Sequence, residues 1–537
     1  MRRTLTLLAL LLGSAGPSGA VHHHWKGLDA QARTQNRPEL DWDWGHTWSD
    51  VEVRKRSVSS LLSSLFNNYK FTLPKQQLLR GTGYLGASAR LRKVVRELLM
   101  PQGKKDFKIA AIGGSITYNS FASKHGVTDW FSVFSQYMIN AFPKANITLR
   151  NGAIPGVESP YMILCLELSV DPDVDLVFVE FTLNDGPDPV LYENKIVKQM
   201  ERLVRRIMAL PSKPAVVLMQ VPTLGMAGYP PEHPKFQTEP GGRWWYARFW
   251  QTSEDAQSAI AHYYDAQYLS LRTATYHLAA HRETPGFQWE DMFVDRHPGD
   301  HGHKIMADLA VHMIQRTAIG LLFEPLGPAD EELASEALPP PMYPGNTPPS
   351  SPMCVVGSLF KEHVVLREGF EWIVEGTALK PKPGYIANAT GSRLQVKVDT
   401  DRSVQSPGEK VGVFFHHLKS YEHMGVADFS CVSGCECTPL VTDAHIKQQV
   451  SQVYFARLDV TQSKECVIQV KVLEQTSSGE RKFKVSGVVV SDQGGSGGME
   501  NIGDNDTPFG VKSHAGERVQ VVWKKDGRIG GVDRENH

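Results

Sequence analysis

From Phe107 onward, short apolar runs alternate with stretches whose apolar residues recur every three to four positions. The runs occupy residues 108–112, 147–151, 176–181, 215–221 and 266–271. Between two of them, Ile196, Val197, Met200, Leu203, Val204, Ile207 and Met208 line one face of a helix. Ser253, followed by Glu254 and Asp255, has the side-chain oxygen and early acids that satisfy the free amides of a helix start. A last helix is predicted from near His303 to about Leu322. Fully apolar strands alternating with amphipathic helices predict a parallel sheet covered by helices over residues 105–325.

The pattern then breaks. Residues 326–352, with Pro339-Pro340-Pro341, read as a semi-rigid linker, because proline supplies no amide to a helix or ladder. Beyond it, Leu394-Gln395-Val396-Lys397-Val398 and Val467-Ile468-Gln469-Val470-Lys471-Val472 alternate strictly, which predicts an antiparallel β-sandwich over 353–491. The Gly-, Asp- and Asn-rich residues 492–537 read as a disordered tail. Residues 21–104 carry no motif and read as an N-terminal extension, with His22-His23-His24 as an exposed polar stretch.

A chain of 537 residues is long enough for more than one core, and its formal charge of -1 with no long Lys/Arg run argues against a nucleic-acid partner. Arg2-Arg3, an apolar run over 5–12 and small residues ending at Ala20 read as a signal peptide over 1–20, so the chain is expected outside the cell. That run is shorter than the roughly 20 residues a bilayer span needs, and no stable membrane insertion is expected. In an oxidising compartment the crowded Cys431, Cys435, Cys437 and Cys466 are expected to form disulfides rather than a zinc site. Cys165, inside an apolar stretch, reads as a buried core residue. Asn146-Ile147-Thr148 and Asn388-Ala389-Thr390 fit the glycan acceptor pattern.

Chemistry concentrates where strands end. The first run delivers Ser115 into the turn Gly113-Gly114-Ser115, at the rim where open α/β sheets hold their sites. The second ends in Asn151-Gly152-Ala153-Ile154-Pro155-Gly156, and the third in Thr182-Leu183-Asn184-Asp185-Gly186. A glycine lets an amide approach a substrate oxygen, and the Asn184 amide is suited to stabilise an oxyanion. Each segment also reads as an ordinary turn, Asn184-Asp185 as a helix cap. Late in the domain, Asp295-Arg296-His297-Pro298-Gly299-Asp300-His301-Gly302-His303 places a proline-fixed imidazole ahead of the last helix, as a general base requires. A metal-binding reading of this histidine cluster is the lesser alternative, because His301 and His303 lack the four-residue helical spacing of a zinc hydrolase.

The ordered set Ser115, Gly156, Asn184, His297 resembles the SGNH (GDSL-like) hydrolase family over roughly residues 105–325. The resemblance implies a three-layer α/β/α, flavodoxin-like domain with a parallel sheet. It also implies Ser115 as nucleophile, His297 as base, and an oxyanion hole made of the Ser115 and Gly156 amides and the Asn184 side chain. The chain departs from the family in having Gly114 where Gly-Asp-Ser is usual and Val294 three residues before the histidine. Asp295 is then expected to orient the imidazole, with Asp291 as the fallback. Domain order, with the Pro-rich linker and Gly425-Val426-Ala427-Asp428-Phe429-Ser430-Cys431, is similar to that of large algal and plant SGNH-like proteins.

These residues imply acyl transfer through a seryl ester, with no metal or cofactor required. An insertion bearing Trp244 and Trp245 leaves the carboxyl end of a strand, where aromatic faces are expected to meet an acylated small molecule or polysaccharide. The expected function is secreted hydrolysis of acyl esters, acetyl esters of carbohydrate above all. A polysaccharide O-acetyltransferase using the same serine, and a non-catalytic polysaccharide-binding protein with a decayed hydrolase domain, remain as alternatives.

Overall fold

The computed structural model describes residues 63–492 apart from 101–105, 186–189, 191, 223–251, 282–291, 295–296, 351, 378–379, 405 and 448–450. It also describes strands at 518–523 and 529–535. The readings of residues 1–20 and of His22-His23-His24 lie outside these residues.

The apolar runs form parallel strands β2 (Asp106–Gly113), β3 (Asn146–Asn151), β4 (Leu176–Glu180), β5 (Ala215–Gln220) and β6 (Gln267–Ser270). β4, β5 and β6 are buried along their whole length, because helices cover both faces and leave no solvated side to alternate with. The strand order is β3-β2-β4-β5-β6, so the sheet reverses direction of growth at β2.

The domain begins earlier than the sequence suggests. Helix α1 (Lys75–Gly81), strand β1 (Thr82–Tyr84) and helix α2 (Ala89–Leu99) belong to it, and β1 closes the far edge by antiparallel pairing with β6. Residues 64–100 are therefore part of the α/β domain rather than an extension to it. Their apolar spacing, Leu91, Val94, Val95 and Leu98, buries the inner face of α2.

One face of the sheet carries helices α3 (Trp130–Ala141) and α8 (Asp300–Phe323), with Trp130 and Phe134 meeting Phe178 of β4 edge-on. α8 has the length and apolarity of a membrane span, but most of its side chains are buried in this layer. The other face carries α4 (Ser159–Cys165), α5 (Lys195–Met208) and α6 (Ser253–Tyr264); α7 (Leu271–His281) follows β6 directly. The expected α5 face is buried, and Asn194 caps the helix by accepting the Val197 amide at 3.1 Å. α6 starts at the expected place, with Thr252 rather than Ser253 as its cap and Asp255 completing a capping box.

The proline-rich stretch is a strap bound to the domain. It opens with helix α9 (Pro328–Ser335), which starts on a proline and follows Gly327. Prolines accept but do not donate, and their carbonyls are taken by Arg205 (Pro339 O, 2.6 Å) and Tyr263 (Pro340 O, 2.8 Å). Buried Glu201 of α5 takes the Asn346 amide at 2.6 Å and the Met342 backbone N–H. Leu338, Met342 and Tyr343 pack onto the α4–α5–α6 side of the core.

Beyond the strap, two antiparallel sheets face each other. One has the order β10 (Val364–Glu368), β13 (Arg393–Val398), β18 (Cys466–Val472), β15 (Val426–Ser433), β16 (Leu440–Asp443). The other has β11 (Glu371–Thr377), β12 (Lys380–Ala387), β19 (Phe483–Ser491), β14 (Val411–Ser420), β17 (Ser451–Val460), with β9 (Met353–Val356) also pairing β19. Leu394, Val396 and Val398, and Cys466, Ile468, Val470 and Val472, point into the sandwich core as their alternation predicts. β14 loses its alternation because both its faces are covered. Phe415 faces the sandwich interior, while Phe414 and Val489 pack with the α/β domain. At that junction Tyr161 of α4 meets His416 at 5.3 Å and Phe455 at 6.0 Å.

Cys165 is not simply a buried apolar residue: it forms a disulfide with Cys354 of β9, joining α4 to the sandwich across 189 residues of sequence. The late cysteines pair as Cys431–Cys437 and Cys435–Cys466. Asn146 and Asn388, in the glycan acceptor patterns, are exposed. In the segment read as a disordered tail, β20 (Arg518–Trp523) pairs antiparallel with β21 (Ile529–Glu535).

Removing the long-range bridge in a Cys165→Ser/Cys354→Ser variant should lower stability by about 2–4 kcal/mol, since the crosslink restricts the unfolded chain most when the closed loop is long. Denaturant unfolding measures this, and an unchanged midpoint would contradict it.

Candidate active site

The carboxyl ends of β2, β3 and β4, neighbours at the switch in strand order, carry three loops that converge on one rim. Ser115 follows β2, and its Oγ lies 2.7 Å from Nε2 of His297, which is 182 residues away in sequence. His297 arrives on a short hairpin of β7 (Phe293–Val294) and β8 (His297–Pro298) directly ahead of α8. Gly299 N–H donates to Met292 O at 2.8 Å, and Gly302 lets α8 close on that turn, since a Cβ there would lie 2.5 Å from the same oxygen.

The β3 loop extends the pairing of its strand along the nucleophile turn: Gly152 N–H donates to Ala111 O at 2.8 Å and Ile154 N–H to Gly113 O at 3.0 Å. Gly156 follows at φ +77, a conformation that favours glycine, and a Cβ there would meet nothing within 4 Å. Asn184, buried at the end of β4, lies against Gly114. A Cβ on residue 114 would sit 2.0 Å from the buried Asn184 side chain, so a larger residue there would oblige that side chain to shift.

Asp295 and Asp291, the two carboxylates expected to orient the imidazole, lie outside the described residues, as do Trp244 and Trp245.

Several residues that sequence reasoning did not single out hold these loops. Asn151 donates from Nδ2 to Thr117 O (2.6 Å) and Asn119 Oδ1 (3.1 Å) and accepts the Ala153 amide (3.1 Å), tying the first loop to the second. Asp185 accepts the Ser159 amide at 2.8 Å and Gln257 Nε2 at 3.0 Å, tying the third loop to α4 and the second. In the histidine block, His303 has Nε2 at 3.3 Å from Ser120 O, and its Nδ1 accepts the Trp130 amide at 3.4 Å. Asp300 accepts the Ser123 amide at 2.7 Å. His303 is thus a structural tie, and burial holds its pKa below the usual imidazole value.

Beneath the nucleophile turn sits Glu180, fully buried, its Oε2 accepting from Thr117 Oγ at 3.0 Å. Burial pushes its carboxyl up to about 8 despite that hydrogen bond. Loss of solvent likewise raises Asp185 to about 7, against the opposing Ser159 hydrogen bond. A lone carboxylate in an otherwise apolar strand was the sequence signal for Glu180.

Among the described residues, the His, Cys and acidic groups close enough to share a metal are Cys165–Cys354–His416 and Cys431–Cys435–Cys466. Their sulfurs are engaged in disulfides.

A serine hydrogen-bonded to histidine at this rim of a doubly wound sheet defines a serine ester hydrolase. Residues 111–305 match the GDSL-like Lipase/Acylhydrolase family, and the chain carries a domain of that family. No curated protein matches the sequence. The crystal structure of a two-domain esterase active on acetylated mannans has a TM-score of 0.53 at 20% identity, covering 78% of this chain and 99% of that one. The same esterase co-crystallized with mannopentaose has a TM-score of 0.52 at 19% identity, covering 80% of this chain and all of the other. At this identity the likeness is one of fold, and it extends over both the α/β domain and the sandwich.

Because the folded chain holds the Glu180 proton more tightly than an unfolded chain would, stability falls as pH rises from the ordinary carboxylate range towards 8. A Glu180→Gln variant cannot ionise and should lose less stability than the wild type between pH 5 and 9. Thermal midpoints across that range provide the check; parallel curves would show that Glu180 does not carry the effect.

Proposed function

We propose that this chain is a carbohydrate esterase that removes acetyl groups from polysaccharide outside the cell. Ser115 attacks the ester carbonyl while His297 Nε2 takes its proton. The Ser115 and Gly156 amides with the Asn184 side chain stabilise the oxyanion, and water then releases acetate from the seryl ester. Asp295 is assigned to orient His297, with Asp291 as the alternative; Trp244 and Trp245 are assigned to substrate binding.

The observation that carries this reading is the 2.7 Å contact between Ser115 Oγ and His297 Nε2. A general base must lie within hydrogen-bond reach of the proton it removes, and this one does. A decayed hydrolase domain has no reason to keep that contact, which weighs against a purely binding role. The choice of acetyl and of carbohydrate leans on the fold shared with an esterase active on acetylated mannans. The three disulfides accord with an extracellular setting.

Incubation with acetylated mannan and with p-nitrophenyl acetate should release acetate from both, and Ser115→Ala should lower kcat by about 10³-fold or more. Equal turnover by the variant would refute the assignment of the nucleophile. Turnover of the small ester without release from mannan or other acetylated glycans would refute the carbohydrate assignment.

A further inference from the structure

Phe121 stands out in the loop that follows the nucleophile. It is 48% exposed, and its ring lies 5.1 Å, centroid to centroid, from the imidazole of His297 at a tilt of 38°. Its φ is +65, in the left-handed region that a bulky residue enters only under strain. The chain around it is fixed on both sides. His303 lies against Ser120 O, the Asp300 carboxylate holds Ser123, and Asn151 holds Asn119, itself at φ +83. An apolar side chain held in strain, with about half its surface in water, is not there for the core, which would bury it.

The chemistry of the His297 proton says what the ring faces. After Ser115 Oγ bonds to the carbonyl carbon, its proton resides on His297 Nε2. Collapse of the tetrahedral intermediate breaks the bond between that carbon and the alcohol oxygen, and the departing oxygen takes the same proton from Nε2. The alcohol half of the ester must therefore lie beside the imidazole, whereas the acyl oxygen lies towards Gly156 and Asn184. Phe121 packs on the imidazole that hands the proton to the departing alcohol, which places it beside the alcohol half of the ester.

Resting on the carbohydrate-esterase reading above, we propose that Phe121 is the platform of the alcohol subsite, where it stacks against the ring of the sugar that bears the ester. A sugar presents a face of C–H bonds, which suits the negative face of an aromatic ring, and the fixed loop means that little is left to order on binding. The small alcohol of a simple ester has no such face.

The test compares kcat/KM, which reports only steps up to formation of the acyl-enzyme, for acetylated manno-oligosaccharide, ethyl acetate and ethyl butyrate in the wild type, Phe121→Ala and Phe121→Tyr. The Ala variant should lose about tenfold more on the sugar ester than on ethyl acetate. The Tyr variant should recover most of that difference, and the preference for acetate over butyrate should shift by less than about twofold, since the platform is assigned to the alcohol side. Equal losses on the two alcohols, or a changed acyl preference, would overturn the platform while leaving the carbohydrate reading intact. If the wild type cleaves ethyl acetate but no sugar ester, the carbohydrate reading fails and the platform falls with it; the wild type alone distinguishes the two.

Discussion

The 2.7 Å hydrogen bond between Ser115 and His297 is made by the whole α/β domain, because nothing local to either residue brings them together. One rides at the end of a buried strand, the other on a turn ahead of the longest helix, α8. The bond exists only while β2 and α8 keep their places, and much of the surrounding polar architecture maintains them. Asp300 and His303, on the first turn of α8, hold the loop after Ser115, so the helix that delivers the base also grips the nucleophile's loop. A disturbance of either element is expected to reach both halves of the pair.

The same economy of parts joins the other two loops. A buried polar chain runs from Thr182 through Gln220 and Gln257 to Asp185, and from there to the amide that opens α4. α4 is also the helix onto which the sandwich docks, through Tyr161 and the Cys165–Cys354 bridge. The loop bearing Gly156 thus precedes a helix fixed at its start by Asp185 and at its end by a covalent bond to the other domain. The sandwich is in this sense part of the scaffold of the rim and not only an appended module.

Much of this was legible in the sequence, and the rest was hidden for physical reasons. Strands buried on both faces declare themselves as apolar runs, so β2 and β4 to β6 were readable; β3, at the sheet edge with no buried residue, showed only in the 147–151 run, and the order of Ser115, Gly156, Asn184 and His297 along the chain was readable too. β1, three residues at a sheet edge, carries no period to detect, and the domain's true start was missed with it. Cys165 sits in an apolar helix and looks like core; only the fold brings Cys354 within 5.2 Å of it between Cα atoms. The proline run was read from its backbone chemistry as a spacer, but its carbonyls found Arg205 and Tyr263, partners that tertiary structure alone supplies. Gly114 was visible as a departure from the family pattern, but its closeness to the Asn184 side chain is a contact across 70 residues of chain. Phe121 gave no signal, since neither a positive φ nor proximity to His297 is written locally.

The reactivity of Ser115 itself reports most directly on whether His297 activates it. A fluorophosphonate probe traps a serine only when a base removes its proton, and mass spectrometry of the digested protein locates the adduct. One adduct is expected, on Ser115, formed about a hundredfold or more slowly in His297→Ala. An adduct on another serine, or labelling of Ser115 at an undiminished rate without the imidazole, would contradict it.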